Sequence, residues 1–251
     1  LNIKSRLKKQ IKFLEKNKDY ALIGSTFNEI NNNNIKYNNN KFRSLQLTYE
    51  NIILKFISDG EIDIVHPSVT IRKKFVKKVN YYSDLNFSED YDLWIKIIFK
   101  KFKIANLKEK GINLRKHDGQ ASIINEIKSI QSVKMSYFKI INKYLSQNID
   151  IEYINLLMIR HIKKNNFNQR LIKKYYTKKI NITKQLLKFF DIKINLDKIQ
   201  EFEQKNLNYN CSAKFFLKYL FYKSYYLKSL QKEFEADLNK IIYYKVKFYF
   251  F

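Results

Sequence analysis

The sequence has few cysteine, proline, glycine and tryptophan residues, and these scarcities exclude several classes of protein. One Cys among 251 residues excludes a disulfide framework and any zinc site built from several cysteines. One Pro and four Gly exclude collagen-like chains and linker-rich architectures. No uninterrupted apolar run approaches the roughly 20 residues of a membrane span. The 45% of apolar residues nevertheless suffices for one sizeable core, and a disordered tail is excluded.

Positive charge is abundant, with 49 Lys+Arg against 23 Asp+Glu and a formal net charge of +26. The excess is spread over both halves of the chain, and the wealth of Lys, Asn, Ile, Tyr and Phe is typical of an AT-rich genome. Two alternatives use this charge directly. One is a nucleic-acid-binding module in which bases stack on aromatic side chains, although the even spread makes it the less favoured partner. The other is a module that binds an anionic membrane surface through residues 215–227.

Hydrophobic spacing predicts alternating helices and strands over the first 120 residues. Leu7, Ile11 and Leu14 recur at helical spacing, which predicts a helix over 5–16 with these three side chains on its apolar face. Ser88 is a candidate N-cap for a helix that begins with three acids. The further predicted elements are strands over 20–26, 66–72, 103–107 and 112–115, helices over 49–57, 73–79 and 89–100, and a loop over 31–40.

Glycine and proline disappear beyond residue 121, where long stretches with helical spacing begin. Ile140, Ile141 and Tyr144 illustrate that spacing. We therefore predict two parts, an α/β part over residues 1–125 and a basic, mostly α-helical extension over residues 126–251.

The residues that the composition supplies least often are concentrated in three short segments. The single Pro lies in His66-Pro67-Ser68, and the single Trp ends the acidic stretch from Glu89 to Trp94. Two of the three His are His66 and His117, the latter in Arg115-Lys116-His117. Rare residues in such short segments are the natural candidates for a functional site.

Taken in order, these segments resemble the acceptor-side half of the family 2 glycosyltransferases, inverting sugar-nucleotide enzymes of GT-A fold. The resemblance covers about the first 120 residues and implies a partial, Rossmann-like GT-A domain, truncated at its N-terminus, before the helical extension. The matching segments are Arg6 to Gln10, Asp19 to Ser25, His66 to Ser68 with Arg72, Glu89 to Trp94, and Arg115 to His117.

The resemblance implies transfer of a sugar from a nucleotide-diphosphate donor to an acceptor hydroxyl with inversion, in polysaccharide or glycan synthesis. Such a displacement needs a carboxylate to take the hydroxyl proton. Asp90 stands where the family has its catalytic aspartate, and Glu89 is expected to orient Asp90 or the acceptor. A helix N-terminus favours the ionised carboxylate. The structural alternative is that the acids at the start of this helix only complement its dipole.

Further residues are implied to bind donor or acceptor, and each has a structural alternative. Arg115 and His117 are expected near the donor diphosphate, although Leu114 replaces the aromatic residue usual before this Arg. The alternatives are a surface Arg and His, a packing turn at His66-Pro67-Ser68, and a core position for the Trp. The full set of implied binding residues is His66, Ser68, Arg72, Asp92, Trp94, Arg115 and His117.

The same resemblance implies a divalent metal, Mg²⁺ or Mn²⁺, in the complete protein. The family holds it with an Asp-x-Asp motif placed shortly before the segment that matches Arg6 to Gln10, and this chain begins at Leu1 without that motif. His117 is the one further candidate ligand here. We expect a piece of a longer polypeptide that transfers little or no sugar alone. The expected partners are a nucleotide sugar, a glycan or lipid-linked acceptor and an anionic membrane, and the expected location is the cytoplasm, peripheral to the inner face of the membrane.

Overall fold

The computed structural model describes residues 1–37, 45–82, 87–117, 119–120, 124–145, 149, 154 and 181–193. The chain divides into two compact units, Leu1–Glu203 and Gln204–Phe251. All described residues belong to the first unit, so the predicted lipid-facing stretch over 215–227, Cys211 and His161 lie outside them.

The first unit is a mixed α/β structure, as predicted, built on a three-stranded sheet. Its strands are β1 (Tyr20–Ile30), β2 (Thr70–Ile71) and β3 (Lys103–Arg115), in the order β2-β1-β3. β1 pairs in parallel with β3 and antiparallel with β2. The predicted strand over 20–26 is confirmed and continues to Ile30. The GT-A assignment and the truncation remain predictions.

The two predicted strands on either side of Gly111 are one continuous strand, β3, so their separation was wrong. A glycine in a turn often marks the end of a strand, but Gly111 lies inside a strand, where it allows neighbouring segments to pack closely. A Cβ at Gly111 would overlap the Ser25 side chain and would lie 2.9 Å from Arg6 Cδ. The missing side chain lets β1 and α1 (Arg6–Lys16) approach β3 at this point.

α1 is confirmed as a helix, but its predicted buried face was right only at Leu14 and wrong at Leu7 and Ile11. Leu7 and Ile11 are 52% and 47% exposed, whereas Gln10 is fully buried and Leu14 is 5% exposed. Leu14 packs with Ile23 and Ala105 in a small cluster between α1 and the sheet. The helix therefore turns a polar side chain towards the protein, because Gln10 has buried hydrogen-bond partners there.

The main core is formed by helices packed beside the sheet. The helices are α2 (Tyr49–Asp59), α3 (Lys73–Lys78), α4 (Glu89–Phe99) and α5 (Glu126–Leu145), and residues 181–189 are also helical. α2 extends two residues past its predicted end, and it terminates where Gly60 adopts a left-handed conformation, φ 76°. Phe56 and Phe99 lie at the centre of the core, with ring centroids 5.7 Å apart.

α5 belongs to the same core, because Tyr137 and Ile141 are both fully buried and packed with residues of α4. The predicted helical extension therefore begins as a tightly packed element of the first unit. The proposed division of roles between residues 1–125 and 126–251 stays a prediction. Within the described residues, no helix is both long enough and apolar enough to cross a bilayer.

The predicted strand over 66–72 was wrong in its first half. His66–Ser68 forms a turn of 3-10 helix, and only Thr70 and Ile71 join the sheet. Pro67 lacks an N–H and has a fixed φ, which suits the first turn of a helix and not a sheet ladder. The Ser68 hydroxyl donates to the carbonyl of Val65 at 2.8 Å, which closes the turn.

Candidate active site

Two buried side chains, those of Ser68 and Gln10, fix the position of the His66–Ser68 turn. The Ser68 hydroxyl accepts the backbone N–H of Ser25 at 3.1 Å. The Gln10 amide donates to the carbonyls of Ser68 and Ile23, at 2.7 and 3.0 Å, and accepts from the Thr70 hydroxyl at 2.8 Å. Four elements are thereby joined at one side chain, and the position of the turn is rigidly defined.

Asp90 lies in the first turn of α4, and its two carboxylate oxygens have different surroundings. Oδ1 accepts the backbone N–H of Tyr91 at 2.8 Å. Oδ2 faces the His66 ring, with Nδ1 3.8 Å away. The side chains of Asp90 and His66 are 33% and 41% exposed, so both are accessible to a ligand. The structure thus brings the predicted base and the His-Pro-Ser segment together.

His66 also contacts two aromatic residues. The Tyr82 hydroxyl lies 3.4 Å from His66 Nε2, and the edge of the Trp94 ring packs against the imidazole with centroids 5.9 Å apart. Burial raises the pKa of Tyr82 from its ordinary value, and the negative charges of Asp90 and Glu89 raise it further. Tyr82, His66 and Asp90 therefore form one continuous polar array.

Trp94 itself is 2% exposed. Its indole N–H is buried without a hydrogen-bond partner among the described residues. Its described contact with the site is the packing against His66, which gives the imidazole a rigid support.

The start of α4 is held by α5. Ser88 occupies the N-cap position, but its backbone is left-handed, φ 57°, and its hydroxyl donates to the Ser129 carbonyl at 3.1 Å instead of capping the helix. The predicted side-chain cap was therefore wrong. The Ser132 hydroxyl donates to the Phe87 carbonyl at 2.5 Å, and the Lys128 ammonium lies over the Phe87 ring. The side chains of Ser88, Lys128 and Ser132 thus fix the residues that precede Glu89 and Asp90.

The other two acids of this turn differ from Asp90 in their surroundings. Asp92 is buried and forms an ion pair with Lys96 at 2.6 Å, one helical turn further on. Glu89 is partly exposed and acts electrostatically on Tyr82. Asp90 is the acid of the three that faces an accessible imidazole.

Arg72 and Arg115 make hydrogen bonds within the protein. The Arg72 guanidinium donates to the Leu14 carbonyl, and its backbone N–H donates to Ala21 at 2.9 Å. Arg115 donates to the carbonyls of Asn31 and Asn32 at 2.9 and 2.7 Å, and to the Asn34 side chain at 2.8 Å. These contacts shape α1 and the turn after β1, and the predicted ligand contacts of both arginines stay predictions.

His117 follows β3 and has an exposed side chain. Among the residues that the structure describes, no three His, Cys, Asp or Glu side chains come together as a metal site. These residues therefore do not form a complete site for Mg²⁺ or Mn²⁺ by themselves, and the role of His117 as a ligand stays a prediction.

Two features of the site were not recognised in the sequence. Tyr82 is one of 19 tyrosines and lies outside the segments that resemble the family, so no local signal distinguishes it. Ser132 lies in α5, and its role depends on packing between segments that are 45 residues apart. Gln10 lies in a segment that resembles the family, although that resemblance does not predict its role as a buried junction.

Comparison with known proteins gives two related sequences. "Uncharacterized glycosyltransferase MJ1057" of Methanocaldococcus jannaschii is 33% identical over 106 residues, which is 41% of this chain and 34% of that protein. "Bifunctional glycosyltransferase pgtA" of Dictyostelium discoideum is 28% identical over 181 residues, which is 60% of this chain and 23% of that protein. No family model and no solved structure matches the chain.

The aligned regions span about a third or less of the length of these two relatives. Both relatives carry the name glycosyltransferase, and the described residues bring an accessible carboxylate and an imidazole together at the start of a helix. The chain is therefore related to glycosyltransferases.

Proposed function

We propose that this chain is the acceptor-side part of an inverting, GT-A type family 2 glycosyltransferase, with Asp90 as its general base. The observation that carries the proposal is the position of Asp90. It lies at a helix N-terminus, partly exposed, with one oxygen fixed by a backbone N–H and the other facing His66. Sequence similarity to two proteins named as glycosyltransferases supports the same reaction class.

In the proposed reaction the acceptor hydroxyl approaches Oδ2 of Asp90. Its oxygen attacks the anomeric carbon of the donor sugar while the bond from that carbon to the diphosphate oxygen breaks. The hydroxyl proton passes to the Asp90 carboxylate, and the nucleoside diphosphate leaves with the bonding electrons. A single displacement inverts the anomeric configuration. The Tyr91 N–H holds Oδ1 in place during the step, so that Oδ2 is the oxygen that receives the proton.

The remaining side chains of the site position these groups. Glu89 lies next to Asp90 and is proposed to hold an acceptor hydroxyl. Tyr82 is 44% exposed and offers an open aromatic face for a sugar ring. Arg115 and His117 are proposed to contact the donor diphosphate.

The acceptor of the sugar is proposed to be a glycan or a lipid-linked molecule at an anionic membrane surface. The formal charge of +26 favours anionic partners, both the donor diphosphate and the membrane.

The test compares wild type, Asp90→Asn and Asp19→Asn in the longest form of the protein that its gene encodes. Release of nucleoside diphosphate is measured with a panel of nucleotide sugars and with glycan and lipid fractions as acceptors. We expect Asp90→Asn to lower kcat by about 100- to 10,000-fold, the usual contribution of a general base. Asp19 is an exposed acid paired with Lys103, so Asp19→Asn is the matched control and should keep wild-type turnover.

Circular dichroism and the thermal midpoint establish that both variants are folded. Near-normal turnover by Asp90→Asn would overturn the assignment of the base. The 251-residue chain is assayed in parallel, and we expect little or no transfer from it. Robust transfer by this chain alone would contradict the proposal that it is the acceptor-side part only.

A further inference from the structure

We propose that His66 is the positioning residue for Asp90, and that its neutral ring carries the proton on Nδ1, which faces the Asp90 carboxylate, while Nε2 accepts from the Tyr82 hydroxyl. This inference deepens the proposed function and rests on it for its catalytic meaning. The tautomer itself is a property of this chain and can be measured without any substrate.

The two ring nitrogens of His66 have different neighbours. Nδ1 faces Oδ2 of Asp90 at 3.8 Å, and Nε2 lies 3.4 Å from the Tyr82 hydroxyl. A carboxylate can only accept a hydrogen bond, whereas a tyrosine hydroxyl can donate or accept. The arrangement is consistent when Nδ1 carries the proton and Nε2 accepts from Tyr82. In the other tautomer, Nδ1 would present a lone pair to a carboxylate, and the two would repel each other.

The distance from Nδ1 to Oδ2 is longer than a hydrogen bond, so in the present state the contact is electrostatic. Contacts between catalytic groups are often long before substrate binds, and they shorten when an acceptor fills the site. The Tyr91 N–H already fixes Oδ1, and an Nδ1–H directed at Oδ2 supplies the second fixed donor. Each carboxylate oxygen has two lone pairs, so one on Oδ2 remains for the acceptor hydroxyl.

The imidazole is itself held in place, as a positioning residue must be. The turn that carries it is closed by the Ser68 hydroxyl and tied to Gln10, and the ring packs on the edge of buried Trp94. These contacts limit the rotation of the ring. Among the described residues, Asp90 from α4 and Tyr82 from the segment after α3 are the titratable groups that face the ring, and the charge of Glu89 acts on Tyr82.

The first test is nitrogen NMR of the 251-residue chain labelled in its histidine rings, at a pH where the rings are neutral. The chain has three His, so a His66→Asn variant assigns the signals of His66 by their loss. The nitrogen without a proton resonates well downfield of the one that carries it. We expect the wild-type His66 ring to be the Nδ1–H form. Asp90→Asn and Tyr82→Phe should each move it towards the Nε2–H form that unpartnered imidazoles prefer in water.

An Nε2–H ring in wild type that both substitutions leave unchanged would overturn the proposal. Asp90→Asn and Tyr82→Phe preserve the shape of the side chain, and Tyr82 lies at the surface, so both variants should fold. The signal of exposed His117 is the internal control, because neither substitution should move it.

The second test separates positioning from substrate binding, once the panel above has identified a donor. His66→Ala should lower kcat by about 10- to 100-fold through loss of alignment, with little change in KM for the donor. His66→Asn should recover most of that loss, since its amide N–H replaces Nδ1–H. Equal losses in His66→Ala and His66→Asn would contradict the role of Nδ1. If Asp90→Asn keeps activity, the proposed base fails, whereas the NMR result still decides the tautomer.

Discussion

The side-chain amide of Gln10 donates a hydrogen bond to the backbone carbonyl of Ser68 at 2.7 Å, across 58 residues of sequence. This bond joins the first helix to the turn that carries His66. Gln10 is fully buried and also contacts Ile23 and Thr70, so one polar side chain fixes the position of the turn relative to the sheet. The geometry of the candidate active site therefore depends on a residue that does not itself reach Asp90.

We expect Gln10→Ala to destabilise the protein by about 2–4 kcal/mol, because two buried carbonyls and the partly buried Thr70 hydroxyl lose their partner. Urea unfolding measures the change as a lower midpoint at an unchanged slope. Lys12→Ala is the control, since Lys12 lies on the exposed side of the same helix and its loss should change stability by less than about 0.5 kcal/mol. Equal effects of the two substitutions would show that Gln10 is not the junction.

The close packing of β1 against β3 at Gly24 leads to a second prediction. A Cβ at this position would overlap the side-chain oxygen of Asn106 and would lie 3.4 Å from Ser68 Oγ. Asn106 has little freedom to move, because its amide donates to the carbonyls of Gln46 and Asp63, at 2.8 and 2.6 Å. We expect Gly24→Ala to cost about 2–3 kcal/mol in thermal or urea unfolding.

Gly119→Ala is the matched control for Gly24→Ala. A Cβ there would meet the His117 ring at 3.4 and 3.8 Å, which is ordinary contact. We expect its stability to lie within about 1 kcal/mol of wild type. A neutral Gly24→Ala variant would mean that the strands can separate at this point without loss.

The sequence predicted the existence and order of the main elements, because helices and strands have distinct hydrophobic periods. α4 and β1 are examples, since their apolar residues are dense and their flanks are polar. The prediction from hydrophobic spacing was wrong where tertiary contacts, and not the spacing, decide which side chains are buried. Gln10 is buried although it is polar, and Leu7 is exposed although it is apolar.

The sequence predicted only part of the candidate site, because roles that depend on tertiary contacts leave no local signal. Rare residues singled out the segments that contain His66 and Asp90, the family resemblance implied the role of Asp90, and the structure places His66 Nδ1 3.8 Å from Asp90 Oδ2. Tyr82 and Ser132 are common residue types whose roles arise from long-range packing, and a single sequence carries no signal for such pairs. The functional roles of all the site residues remain predictions.

The pKa of Tyr82 provides a direct measure of the charge at Asp90. Burial raises this pKa, and the negative charges of Asp90 and then Glu89 raise it further, because they oppose formation of the phenolate. Asp90→Asn removes one of these charges, so the pKa of Tyr82 should fall. Glu89→Gln should lower it less. Carbon NMR of tyrosine rings over an alkaline titration follows this single signal, which Tyr82→Phe assigns. An unchanged or higher pKa in Asp90→Asn would contradict the contact.

Contacts between α5 and the start of α4 should control local opening of the candidate active site. Ser132→Ala leaves the Phe87 carbonyl without its described donor, at a cost of about 1 kcal/mol. We expect hydrogen exchange of the Asp92 amide, which donates to the Ser88 carbonyl, to become about 5- to 10-fold faster.

Ser129→Ala is the control for Ser132→Ala, since Ser129 contributes a backbone carbonyl that the substitution retains. Its Asp92 amide should exchange as in wild type. Faster exchange in Ser129→Ala and not in Ser132→Ala would show that the hydroxyl of Ser132 has no part in holding this segment.

Lys55 is a fully buried lysine in α2, and its ammonium group lies 2.6 Å from Asp59 and 3.3 Å from Glu61. Removing one member of a buried ion pair leaves uncompensated charge, so Lys55→Met should destabilise the protein by about 3 kcal/mol although the apolar part of the side chain is kept. Lys103→Met removes an exposed pair with Asp19, formed at 2.8 Å, and should cost no more than about 1 kcal/mol. Urea unfolding at neutral pH compares the two. A larger loss in Lys103→Met would show that burial does not decide the strength of these pairs. The expected order would mean that the buried charges at the end of α2 stabilise the core. The same end of α2 also holds Tyr91, whose hydroxyl donates to the Gly60 carbonyl at 2.5 Å.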